Sequence, residues 1–141
     1  MSPPEPRTAI REAFPELGYG VADAVWALRE GLPASRADAL ASALDVPLSQ
    51  LAGLLSVSPS TLARRQRSGR LSQAESERAY RLGRLVERAT EALGSAEVGA
   101  EWLKRPNWAL GGEPPLGYAD TERGALEVDG VIGRIEQGIP P

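Results

Sequence analysis

The residues with the most chemical reach in this chain are its arginines. Eight of them fall within residues 64–88 against three glutamates, a local balance of +5 in a chain whose formal net charge is -3. Residues 1–63 balance at -3 and residues 89–141 at -5. One basic block between two acidic ones can meet phosphate locally while the whole molecule stays acidic. Arginine's planar fork bonds phosphate and guanine in pairs, which lysine cannot do, and Lys104 is the single lysine. High-GC coding also favours arginine, so the bias alone says little.

The same inventory argues against catalysis. The 141 residues contain no histidine and no cysteine. The commonest general base, the commonest transition-metal ligand and any disulfide or thiolate site are therefore missing. Glu113, Asp120 and Glu122 read as solvated loop carboxylates. Gly111-Gly112 is too sparse for a phosphate loop, with no Gly-Lys-Ser/Thr following. The expectation is no catalytic residue, no metal and no cofactor. The opening stretch MSPPEPRTAIREAF has no secretory pattern, and no apolar run approaches the roughly 20 residues needed to cross a bilayer. A cytoplasmic protein with no membrane partner is expected.

Helices must position the arginines, because β-branched alternation is almost absent and the chain reads as all-α. Residues 1–20, rich in Pro, Gly and charge, read as a loosely held arm with a short helix around Thr8–Phe14. Val21–Glu30 reads as a helix presenting Val21, Ala24, Val25 and Leu28, broken by Gly31-Leu32-Pro33. Ser35 is expected to cap the next helix, which ends at Asp45-Val46-Pro47, and Ser49 to cap a segment Gln50–Leu55. Ser58-Pro59 opens a fourth helix as N-cap and first helical residue, closed by Gly69. Ser72-Gln73-Ala74-Glu75 is a capping box that starts the longest helix, Gln73 to Leu93, ended by Gly94. Its Leu82, Leu85, Val86, Ala89 and Leu93 share one face. Ser95 caps a helix to about Lys104, and Pro106–Pro115 is a turn-rich loop. Thr121 caps a last helix, Glu122 to about Gln137, with Leu126, Val128, Val131, Ile132 and Ile135 as its apolar face.

Leu51 to Arg65 has the pattern of a helix-turn-helix. Small Ala52 lets two helices approach, Leu55, Val57 and Leu62 fill the angle between them, and the Ser58 cap fixes the second helix. Such a second helix enters the major groove with its N-terminal residues at the base edges. Ser60, Thr61 and Arg64 are then the candidates to read bases, and Arg65, Arg67 and Arg70 to hold phosphate. An ordinary helical hairpin with a solvated basic face fits the same residues. Trp102, Trp108 and Tyr118 bracket the later loop, either as core or as anchors for a partner.

Several blocks together resemble the Xre/MbcA/ParS antitoxins, the partners of RES-domain toxins. They are Gly31-Leu32-Pro33, Leu62-Ala63-Arg64-Arg65, Leu71 to Arg78, Ala100-Glu101-Trp102-Leu103, Pro106-Asn107, Ala109-Leu110-Gly111-Gly112, Pro115-Leu116, Thr121, Gly124, Val128 and Arg134-Ile135-Glu136-Gln137-Gly138. The resemblance covers about residues 31–138. Gly117-Tyr118-Ala119 departs from it, where a more apolar stretch is expected.

The resemblance implies an N-terminal arm (1–20), an Xre-like helix-turn-helix bundle for DNA binding and dimerisation (21–94), and a small helical toxin-binding domain (95–141) joined by the long helix. It further implies a homodimer that binds the operator of its own operon and sterically blocks the nucleotide pocket of an NAD-degrading RES toxin. Trp102, Asn107, Leu110, Gly111, Gly112 and Leu116 would build or support the toxin-binding fold. Ile132, Arg134, Ile135, Glu136 and Gly138 would lie nearest the toxin. The acidic C-terminal segment suits a pocket built to attract phosphates. A stand-alone regulator, whose C-terminal half dimerises or senses a ligand, is the alternative, and an adaptor that has lost DNA binding is a third reading.

Overall fold

A computed structural model describes residues 6–139. Among them lie nine α-helices: α1 (Pro6–Ala13), α2 (Val21–Glu30), α3 (Ser35–Leu44), α4 (Leu48–Leu54), α5 (Pro59–Ser68), α6 (Gln73–Leu93), α7 (Ala96–Lys104), α8 (Pro115–Tyr118) and α9 (Glu122–Glu136). Two short 3-10 turns, Pro15–Gly18 and Trp108–Leu110, complete the described elements. The all-α reading holds.

Most ends are written locally. The Ser58 side chain accepts the Thr61 N–H at 3.1 Å behind Pro59. The capping box is complete, with Glu75 N–H on Ser72 Oγ at 3.1 Å and Ser72 N–H on Glu75 Oε1 at 2.9 Å. Ser95 and Thr121 cap α7 and α9 in the same way. Gly69 and Gly94 end α5 and α6 in the left-handed conformation that costs glycine least.

Two expected caps are absent. Ser35 is the first residue of α3, behind Ala34, and α4 begins at Leu48 behind Pro47, so neither Ser35 nor Ser49 caps a helix. Tertiary bonds set the first start: Ala34 N–H donates to Gly69 O at 2.9 Å and Leu71 N–H to Leu32 O at 2.9 Å. These clip the α2–α3 turn to the α5–α6 turn, and the buried Ser76 Oγ accepts the Leu32 N–H at 2.7 Å. At the second start Pro47, with its φ of -68°, presents a carbonyl that Gln50 and Leu51 bond.

The long helix α6 is the hub of the core, touching α1, α2, α3, α7 and α9. Its Leu82, Leu85, Val86 and Ala89 are buried as expected, while Leu93 at its end is only partly so. Gly99 of α7 crosses so close that a Cβ there would stand 2.9 Å from the Thr90 backbone nitrogen. One apolar cluster runs from Leu40, Leu51 and Leu62 through Leu82 and Val86 to Leu103, Val128 and Ile132.

Three expectations about exposure change. The described part of the arm is docked, with Ile10, Phe14 and Leu17 buried in the shared core. Arg11 pairs with buried Glu87 of α6, and Arg36 of α3 forks onto buried Glu16 at 2.7 and 2.9 Å. On α2 only Ala24 is buried, whereas Val21, Val25 and Trp26 face outward. On α9 Leu126 is 66% exposed and leaves the apolar face to Val128, Val131 and Ile132. Around Gly117, α8 forms a short helix with Leu116 and Ala119 buried.

Candidate DNA-binding and partner-binding surfaces

Helices α4 and α5 form the helix-turn-helix. Ala52 and Leu55 are wholly buried, Leu62 nearly so, and Val57 N–H returns to Ala52 O at 3.0 Å. Ser56 supplies the reversal at φ 60°, a conformation more usual for glycine, and sequence reading missed its role because serine carries no such signal.

On α5, Ser60 and Arg64 are exposed and Thr61 is half-buried. The Ser58 hydroxyl donates to Thr61 Oγ1 at 3.0 Å and lies 3.1 Å from Ser60 Oγ, so three hydroxyls cluster at the helix start. Arg64 and Arg67 are exposed and carry no ion pair among the described residues.

Arg65 and Arg70, expected on phosphate, each also make an internal bond. Arg65 forks onto Glu75 at 2.9 and 3.1 Å, tying α5 to the start of α6. Burial pushes the Glu75 carboxyl up, but Arg65 and the Ser72 bonds outweigh it and hold it below the usual carboxylate range. The Glu75 carboxylate in turn raises the Arg65 guanidinium, first by hydrogen bonding. Arg70 Nη1 donates to Gly31 O at 2.7 Å, closing the clip between the two turns.

In the C-terminal half, Asn107 organises the loop. Its Oδ1 accepts the Ala109 N–H at 3.0 Å, its carbonyl the Gly112 N–H at 2.9 Å, and its own N–H donates to Glu113 O at 3.1 Å. Gly111 and Gly112 take φ of 69° and 89°, which the turn requires. Leu110, Leu116 and Ile132 are buried, so they build the fold, and Trp102 and Ile135 are half-buried against the core. The loop's aromatics divide: Tyr118 packs partly inward, while Trp108 stands 76% exposed.

At the end of α9, Ile139 N–H bonds Arg134 O and Gly138 N–H bonds Ile135 O, at 2.9 and 3.1 Å, with Gly138 at φ 70°. Arg134 has no ion pair among the described residues. Glu136 accepts from Arg88 Nη1 at 2.9 and 3.0 Å, and Arg88 Nε donates to Asp129 at 2.9 Å, so α9 is laced to α6 along its exposed edge. The Asp129 hydrogen bond is the largest cause raising the Arg88 guanidinium. Arg88 was outside the candidate set, since nothing in the sequence places it beside α9.

The exposed second helix of a helix-turn-helix on one half, and a helix-and-turn platform with a surface aromatic on the other, make up a helix-turn-helix protein with a second helical region. Residues 23–84 match the family described as the antitoxin Xre-like helix-turn-helix domain, and residues 88–138 the antitoxin Xre/MbcA/ParS C-terminal toxin-binding domain. The protein described as antitoxin Xre from Photorhabdus laumondii subsp. laumondii is 33% identical over 114 residues, covering 79% of this chain and 77% of that one. A second antitoxin Xre, from Yersinia enterocolitica serotype O:8 / biotype 1B, is 29% identical across 96% of this chain and 95% of its own. The chain belongs to the Xre antitoxin family. No helix among the described residues is long and apolar enough to cross a membrane.

Proposed function

We propose that this chain is the non-enzymatic, cytoplasmic antitoxin of a type II pair, which occupies the active site of an NAD-degrading RES-domain toxin and represses its own operon by binding operator DNA. The observation that supports the reading is that the two family matches meet inside one continuous helix, α6, so one element joins the helix-turn-helix to the toxin-binding domain. The working division is 1–20 as an N-terminal segment, 21–94 for DNA and self-association, and 95–141 for the toxin.

In this reading α5 enters the major groove. Ser60, Thr61 and Arg64 read base edges, Arg67 holds phosphate, and Arg65 and Arg70 fix the helix in place. The outward Val21, Val25 and Trp26 of α2 offer an apolar patch for a second copy, which a palindromic operator needs. At the other end Arg134, Glu136 and Gly138 close over the toxin's nucleotide pocket. With no histidine or cysteine in the chain, inhibition works by filling space and matching charge.

The test is co-expression with the product of the neighbouring gene, followed by co-purification and an NAD-consumption assay. A stable complex that spares NAD is expected, and removal of residues 134–141 should restore NAD loss while operator binding persists. That binding should weaken steeply as salt rises. No complex and no relief of toxicity would leave the alternative, a stand-alone regulator.

A further inference from the structure

Trp108 stands outside the core: the residue is 76% exposed, while Trp102 and Tyr118 from the same region pack partly on the core. An indole joins a large apolar area to a polar N–H, which suits an exposed one to contact with a partner.

The turn that carries it is rigid. Leu110 N–H and Gly112 N–H both bond Asn107 O at 3.0 and 2.9 Å, Gly111 N–H bonds Trp108 O at 3.2 Å, and Glu113 N–H bonds Leu110 O at 3.3 Å. With the Asn107 side chain on Ala109 N–H, every backbone N–H from Ala109 to Glu113 has an internal partner. A ligand met by Trp108 therefore pays little to order this turn. Rigid, amphipathic tryptophans on such supports dominate protein interfaces when a pocket receives them.

Trp108 lies within the residues matched by the toxin-binding domain. The surrounding segment, residues 89–141, carries nine Asp/Glu against four Lys/Arg, and Glu113 in the same turn is exposed without an ion pair among the described residues. We propose that Trp108 is the main anchor of the toxin contact, inserting its indole into an apolar slot on the toxin that is rimmed by basic side chains. The inference rests on the toxin-partner reading and adds a contact site away from the end of α9.

The test measures affinity between the purified toxin from the neighbouring gene and the full chain, as wild type, Trp108→Ala and Trp108→Phe. Trp108→Ala should weaken binding about 30-fold or more, near 2 kcal/mol at 1.4 kcal/mol per decade, and Trp108→Phe should recover part of it. Urea midpoint and operator binding should stay at wild-type values, because the side chain supports neither. Trp108→Ala binding within about threefold of wild type would overturn the anchor and leave the toxin reading standing. Wild-type chain that does not bind this toxin at all would overturn both.

Discussion

Arg65 and Glu75 show what charge alone leaves unsaid about a single residue. Both sit in the basic block, yet Arg65 spends its fork on a buried carboxylate that also closes the capping box of α6. Because the folded Glu75 carboxyl is held below its usual value near 4.3, its stabilising contribution is complete above that value and is lost as pH falls through the folded one. Arg65→Ala removes the partner. Its urea midpoint should fall clearly below wild type at pH 7, and the gap should narrow as pH falls through the range where the folded Glu75 takes up its proton. A gap that keeps its size as the pH is lowered would mean that the pair adds only packing. Weaker DNA binding by this variant would then report a displaced α5, which distinguishes Arg65 from Arg64, whose exposed guanidinium carries no ion pair among the described residues.

At the scale of elements, the glycines of α9 separate by what surrounds them. A Cβ on Gly124 would stand 1.8 Å from the Tyr118 carbonyl oxygen, so the α8–α9 junction requires glycine there. Gly130 sits mid-helix with only Arg134 Nη1 within reach, at 3.8 Å. Gly124→Ala should therefore cost about 1–3 kcal/mol by overpacking, whereas Gly130→Ala should gain up to about 1 kcal/mol of helix propensity. Chemical denaturation of the two variants checks both signs. The same logic explains the helix starts: α5, α6, α7 and α9 carry their own caps and were legible, whereas α3 and α4 start on contacts or on a proline and were misplaced by one or two residues.

For the whole molecule, the N-terminal segment changes most. Phe14 is wholly buried beside Ile10 and Leu17 and belongs to the core that α6 organises, although the family matches begin only at residue 23. Phe14→Ala should cost about 3–5 kcal/mol, the usual range for emptying a buried aromatic site. That is a large share of the roughly 5–15 kcal/mol that holds a domain together. Equilibrium unfolding measures it, and a loss under 1 kcal/mol would return the segment to the status of a loose arm. Since α6 reaches from the helix-turn-helix to the partner-binding half, a change that loosens it should weaken both.

The sequence by itself determined the helical class, the capped boundaries, the helix-turn-helix and the family, because caps, spacing and apolar periodicity act over a few residues and are written in consecutive letters. It also excluded the commonest catalytic groups by omission. Only the tertiary structure decided which arginines lack an ion pair among the described residues, that Ser56 makes the reversal, that Ile10, Phe14 and Leu17 are core, and that Trp108 faces water. Those outcomes depend on partners distant in the chain, such as Arg11 with Glu87 and Arg88 with Glu136. No local pattern encodes which of two equally charged or equally apolar side chains such a neighbour will cover.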